Sequence, residues 1–534
     1  MAAAVALAIL AGACGSSKST TAAASDQAAP ATEGTPVDGG SLVIGVAAET
    51  AGWNPHSSEW AQYGSVVGSS VLEPLATVGP DNGAKPWLAT GWIANDTFDT
   101  WQITLRQGVT FQNGEKFDAA AVKLNIEDAI SGPLSGQALM GLFSDISVVD
   151  DHTVLVKLAQ PWAAFPSSFL DGQTTMMMAP EMLKQADHGD KHPIGTGPFT
   201  FDSWSPGDTF KVKKNPTYWQ EGKPHLDQIE FRVMPDNTSR SAALETGDIN
   251  MMLTTSAADA NSMATDFTVL KDWDTEPAMI MTNTIPMIGT TPNPLADVHA
   301  RKALAYATDR QAIATAMGEG VLSPTSPFSS TNPWGRPDAE NGYPDHDLDK
   351  AKAEVAQYLQ DSGASSLSFS LAGVADVDTS KIMQLVQSQW AEAGIHANIE
   401  SLESTAFIGR AVKGDYNAAL FQLYSSPDPD QNHYFWSKDT IKGYGGVNIN
   451  FTQFSNDQME ADLATGRTSG YPDVRKQAYD DLVTQLNQSA VNIWLYWTPY
   501  SIVADKSVHG LQAANDTPWG NFQPKTWLAD LWHQ

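Results

Sequence analysis

A single cysteine, Cys14, stands in the 534 residues of this chain. One thiol cannot build a disulfide framework or a cysteine-based metal site, so the fold must rest on packed cores. Basic residues are scarce as well, with 31 Lys and Arg against 61 Asp and Glu for a formal charge of −30. Such a field repels phosphate backbones and anionic headgroups, and no Lys/Arg run interrupts it, so nucleic acid is not an expected partner. No apolar run approaches the roughly 20 residues of a membrane-crossing helix, so the chain is not expected to carry a solute across a bilayer alone. A Gly-rich phosphate loop, an HExxH helix and a GxSxG elbow are also missing. His188 and His192 lie four apart, but Gly189 and Pro193 set them in a loop instead of on one metal-binding helix face. Asp345, Asp347 and Asp349 imitate the start of a calcium loop, yet Lys350 and Ala356 occupy its glycine and glutamate positions. Helix capping by Asp347 is the better reading. Neither a metal nor a cofactor is expected.

What is present begins with length. Single cores rarely grow beyond roughly 250–300 residues, so at least two lobes are expected. The 42% apolar content, with 17 Trp, 13 Tyr and 19 Phe, is enough to fill them. Residues 2–13, AAAVALAILAGA, have the length of a signal-peptide core. Ala11, Gly12 and Ala13 before Cys14 resemble a bacterial lipobox, in which the cysteine is lipidated, although Ala11 stands where that pattern prefers Leu and no basic residue follows Met1. The Ser/Thr/Ala/Gly/Pro-rich stretch 15–40 reads as a flexible tether with a reach on the order of 25–30 Å. The expected location is the outer face of the cell membrane, held by lipid on Cys14.

Beyond residue 40 strand and helix patterns alternate. SLVIGVA at 41–47 reads as a buried strand, and Trp101, Ile103 and Leu105 alternate with polar residues before the Asn113-Gly114 turn signal. Asp118 caps an expected helix carrying Val122, Ile126, Ala129 and Ile130 on one face. Strand alternation recurs at 154–158 and 229–233, and a helix from Asp236 stops at Gly247. In the second half 297–317 reads as one long helix, 347–359 and 380–394 as two more, and 367–371 and 396–402 as strands. The chain is therefore α/β or α+β in two lobes. Within it LYSSPDPDQNHYFW, 423–436, crowds carboxylates, a histidine and aromatics together. Extended backbone before Pro429 sends Asp428 and Asp430 to opposite sides, a poor arrangement for a shared reaction.

One segment is diagnostic beyond its composition. Residues 194–250 contain Gly195-Thr196-Gly197-Pro198-Phe199, Trp204, Pro206-Gly207, Asn215-Pro216, Tyr218-Trp219, Leu226-Asp227, Ala243-Leu244 and Gly247-Asp248. In that order and spacing they resemble the family 5 extracellular solute-binding proteins, the peptide/nickel type that serve ABC importers. Trp87-Leu88-Ala89, the segment Trp101 to Phe117, VHARKALAYATDR at 298–310 and NIWLYWTPY at 492–500 extend the resemblance over nearly everything from about residue 41 onward. It implies a two-lobed α/β fold of the periplasmic-binding-protein type with an extra subdomain and two crossing segments at a hinge. Lobe I would comprise 41–285 plus 498–534, and lobe II 286–497. The implied function is non-enzymatic: a monomer closes on a small solute and presents it to the permease subunits of an ABC importer.

The resemblance places the loop at 49–63, the loop at 423–436 and Trp497 to Tyr500 along the cleft. Trp53, Trp60, Tyr63, Tyr424 and Trp497 are the candidate walls, and Asn54, Ser425, Asp428 and Asp430 the candidate hydrogen-bonding groups, with core packing or loop capping as the competing role for each. Peptide receptors of the family commonly carry D-x-x-D-P in the lobe II loop, whose first Asp meets the peptide ammonium. Here Ser425 stands at that place and Asp428-Pro429 at the second. An oligopeptide is the leading ligand, and an oligosaccharide or another non-peptide solute the alternative. Nickel is not expected, because no His cluster is evident. Readings of another class are a secreted hydrolase using Asp428 or Asp430, and a ligand-sensing receptor.

Overall fold

The computed structural model of the protein describes residues 34–58, 60, 62–79, 82–133, 135–139, 141–423, 426–511 and 526–534. Cys14, the apolar run before it and most of the expected tether lie outside the described residues. Among the described residues the strands form a seven-stranded, a five-stranded and a four-stranded sheet and three two-stranded pairs.

Ser41–Val46 lies at the centre of the seven-stranded sheet, parallel to Gln228–Val233 on one side and to Met251–Thr254 on the other. Its Leu42, Ile44 and Val46 are buried, as a strand flanked by parallel neighbours requires. The four-stranded antiparallel sheet contains Thr100–Leu105, in which Trp101, Ile103 and Leu105 are buried while Gln102 and Thr104 face water. The helix Ala119–Ser131 follows, and the Asp118 carboxylate accepts from Ala121 N. The helix Asn237–Thr246 ends at Gly247, whose φ of 79° suits a residue without Cβ. Asp347 accepts from Lys350 N and so caps Leu348–Ser362.

In the five-stranded sheet Leu367–Val374, the helix Val377–Glu392 and Ile395–Leu402 form a β-α-β unit, its strands parallel from Leu367↔Ile395 to Val374↔Leu402. The helix Ser404–Val412 then leads to Ala418–Gln422, parallel to Leu367–Val374 on its other edge. The expected long helix at 297–317 is two helices, Val298–Ala307 and Arg310–Met317. Thr308 between them is extended, its hydroxyl donates to Leu304 O, and Asp309 starts the second helix by accepting from Ala312 N. Asp and Thr compete with the helical ladder through local bonds of this kind, and here they win.

Two large apolar cores follow the sheets. One gathers Ile44, Phe199 and Ile229 with Ile103, Val156 and Trp527, and the other gathers Ile280, Leu371, Trp390 and Trp494. The chain leaves the first sheet after Thr268–Asp272 and enters the second at Pro277–Thr282, ahead of the boundary expected at 285. The reason is that PAMIMT is buried throughout and pairs with strands on both sides, a central strand of the second sheet. The return runs through Thr498 and Pro499 into Tyr500–Ala504. Glu276 ties the two crossings: its carbonyl accepts from Thr498 N at 2.8 Å and its carboxylate from the Tyr500 hydroxyl at 2.7 Å.

Candidate functional site

Parallel strands cannot close their own carboxyl edge, because the chain leaves there into helices, and the crevice left over is where α/β sheets hold ligands. Leu367–Val374 and Ala418–Gln422 end side by side at such an edge, against the crossings. A cavity of about 360 Å³ opens there, within the range of small-ligand sites. Val374, Leu420 and Tyr496 line it from the strand ends, and Phe407 and Ile408 from the helix Ser404–Val412. Phe421 adds a ring 6.1 Å from that of Phe407. Thr255, just beyond Met251–Thr254, brings in the seven-stranded sheet, while Thr498 and Pro499 belong to the return crossing. Gln422 Nε2 donates to Thr498 Oγ1 at 3.0 Å. Asp376 and Asp378 complete the wall at the start of the helix Val377–Glu392. Among the described residues no Lys, Arg or His side chain lines the cavity.

The expected site residues distribute unevenly around it. Tyr63 stands beside the wall, where burial raises its phenol above the usual value against the opposing influence of Arg240 and a hydrogen bond with Thr255. Trp497 is buried between the cavity-lining Tyr496 and Thr498, with its backbone N–H on Leu322 O. Trp53 is a correction: it is 1% exposed, with its ring 4.3 Å from Phe210 and 5.6 Å from Trp204. Trp60 packs beside it and donates Nε1–H to Gly52 O. Asn54 is a loop clamp, donating to His188 O at 2.9 Å and accepting from His56 N at 2.7 Å. These three side chains are turned into the protein because a loop opening this aromatic-rich layer gains more from packing than from facing water. Tyr424 and Ser425 lie outside the described residues.

Asp428 and Asp430 are also corrected. Arg475 Nη2 donates to both Asp428 oxygens, at 2.6 and 2.8 Å, and the Ser167 hydroxyl adds a bond of 2.7 Å. Asp430 accepts from Arg467 Nε at 2.9 Å and from Trp162 Nε1 at 2.6 Å. Buried carboxylates need such partners, and at 2% exposure each these two are closed off from a solute. Burial alone would raise the Asp430 pKa, but the Arg467 guanidinium and the neighbouring cations hold it below the usual carboxylate value. Gln431 Nε2 extends the cluster to Ser167 O and Asp171 Oδ1, both at 2.8 Å. Asp171 is pushed well up by burial and by the charge of Asp428. The loop carrying Asp428, Asp430 and Gln431 thus meets the segment 162–171 packed on the first core.

Sequence reasoning missed the cavity wall of Asp376, Asp378, Phe407, Phe421 and Tyr496. The signal that could have found it is the carboxyl-edge rule applied to the expected strand at 367–371 and the helix behind it. Among the described residues no group of acidic, His or Cys side chains is arranged to hold a metal ion, and no helix is long and apolar enough to cross a membrane.

Residues 83–444 match the bacterial extracellular solute-binding proteins, family 5, middle. The chain is 30% identical over 432 residues to the glutathione-binding protein GsiB of Salmonella paratyphi A, covering 78% of this chain and 81% of that one. It is similar to the oligopeptide-binding protein AppA from Bacillus subtilis in complex with a nonapeptide, with a TM-score of 0.79, 20% identity and coverage of 94% and 100% of the two chains. AgaA from A. tumefacien R10, in complex with agropinic acid, gives a TM-score of 0.79, 23% identity and coverage of 93% and 99%. At these identities the two solved structures establish the shared α/β binding-protein fold.

Proposed function

This chain belongs to the family 5 extracellular solute-binding proteins, receptors of ABC importers and not enzymes, and from that premise we propose that it captures a peptide or peptide-like solute in the cavity at the sheet junction. The carrying observation is the mixed character of that wall. Phe407, Ile408 and Phe421 offer apolar surface for side chains, while Thr255, Gln422 and Thr498 offer hydrogen-bonding groups for amides. A relative that is 30% identical is a glutathione-binding protein, and glutathione is itself a small peptide. The solute touches both lobes when they close, so its binding energy favours the closed form, and closure is what the permease reads. In this reading lipid on Cys14 and the tether after it hold the receptor at the outer face of the membrane.

Native mass spectrometry of gently purified protein, followed by calorimetry with di- to pentapeptides and with cello- and xylo-oligosaccharides, tests the proposal. Saturable binding of peptides, weakened by Phe421→Ala, is expected. Binding of oligosaccharides with no response to peptides would replace the peptide reading with the sugar one.

A further inference from the structure

The cavity described above carries charge of one sign. Asp376 and Asp378 line it and are exposed side chains. One Asp376 oxygen accepts from Thr379 N and caps the helix, which leaves its other oxygen and the whole Asp378 carboxylate without a hydrogen bond among the described residues. The helix N-terminus behind them contributes the equivalent of about half a positive charge, less than the two carboxylates place in front of it. A third group points the same way. Tyr496 is 6% exposed and lines the cavity, and its hydroxyl makes no hydrogen bond among the described residues. Burial, then the charges of Asp378 and Asp376, raise its phenol above the ordinary value, so the hydroxyl stays protonated and lies within the field of both carboxylates.

We propose that Asp376, Asp378 and the Tyr496 hydroxyl form a subsite for a positively charged group of the solute, an α-ammonium or a basic side chain. The proposal rests on the peptide reading only for the frame that carries the cation. The carboxylates supply charge-assisted hydrogen bonds, the tyrosine oxygen accepts a further one, and no basic side chain among the described residues of the wall competes. A solute carboxylate at the same place would meet two like charges and no counterion. Because both carboxylates are exposed, the preference is sensitive to salt.

The test uses the full chain and three tetrapeptide sets: one with a free amino terminus and neutral side chains, one N-acetylated with neutral side chains, and one N-acetylated with a single lysine among neutral side chains. Agmatine serves as a cation without a peptide bond. One or both cationic sets are expected to bind about tenfold tighter than the neutral acetylated set. That ratio should shrink in high salt and fall to near unity in Asp376→Asn/Asp378→Asn, whose amide oxygen at position 376 can still cap the helix. An unfolding midpoint equal to the parent's shows that the variant still folds. Equal binding of all three sets, or a preference that survives the double substitution, overturns the subsite and leaves the peptide reading standing. Binding of agmatine alone, lost in the variant, sinks the peptide reading and supports the subsite. Binding of none of the four probes overturns both.

Discussion

The Trp162 indole and the Asp430 carboxylate come from opposite sides of the sheet junction, so replacing Trp162 with Phe tests whether the two lobes are latched. Trp162 Nε1 donates to Asp430 Oδ2 at 2.6 Å, and the Asp430 side chain is 0% exposed. Phenylalanine keeps much of the ring packing against Phe165 and Phe169 and removes only the donor and the second ring. In the closed form Asp430 then loses one of its two bonds, while in an open form water can replace it. A hydrogen bond to a charged group contributes about 1.5–3 kcal/mol. Charged to the closed form alone, that is a loss of roughly 10- to 150-fold in the closed-to-open ratio, and the apparent solute Kd rises by up to that factor as the closed fraction falls. Calorimetry with the tightest-binding peptide reads the affinity, and small-angle scattering of the solute-free protein reads the opening as an increased radius of gyration. A Trp162→Phe/Asp430→Asn double-mutant cycle isolates the pair. Affinity within twofold of the parent together with an unchanged radius of gyration would refute the latch. So would a loss of thermal stability that accounts for the whole effect.

Glu73 is fully buried and accepts from Trp87 Nε1, Tyr218 Oη, Trp219 Nε1 and Thr196 Oγ1; burial nonetheless raises its pKa from 4.5 to about 7. A carboxyl with a raised folded value binds protons more tightly when folded, so its unfavourable contribution is absent below 4.5, grows between 4.5 and 7, and is complete above 7. The span corresponds to about 3 kcal/mol, and the stability difference between parent and Glu73→Gln should move by that amount between about pH 4 and 8 in denaturant titrations; a pH-independent difference contradicts the assignment. Gly195→Ala would place a Cβ 2.2 Å from Val71 O and 2.9 Å from Leu72 Cα, both backbone atoms. A loss of about 1–3 kcal/mol is expected, and an unfolding midpoint equal to the parent's would contradict it. For the anchor, Cys14→Ser should shift the receptor from the membrane fraction to the soluble extracellular fraction, and retention in the membrane would remove lipidation from the account.

Local features were legible in advance because their partners lie within a few residues. Asp118, Asp236 and Asp347 each cap a helix through a backbone N–H three residues on, and Gly247 ends one through its own backbone freedom. The segment 194–250 likewise pointed to the family, since its turns and packing residues recur in a set order. The split at Thr308 was less legible, because a run that is helical by pattern was broken by Thr308, which also accepts from the distant Trp390 Nε1 at 2.9 Å. The role of Asp428 and Asp430 was not legible at all. Their carboxylates looked available until Arg475 and Arg467, 47 and 37 residues on, and Ser167 and Trp162, 261 and 268 residues back, were brought against them. The cavity wall has the same origin, with Thr255, Asp376, Phe407, Phe421 and Tyr496 drawn from five separate elements. The amino-acid sequence alone determined the strands, caps and family, because these depend on short-range bonds and on residue order. Which charges are neutralised and which face a solute was decided only by tertiary structure, because the field at a carboxylate depends on every group packed around it in space.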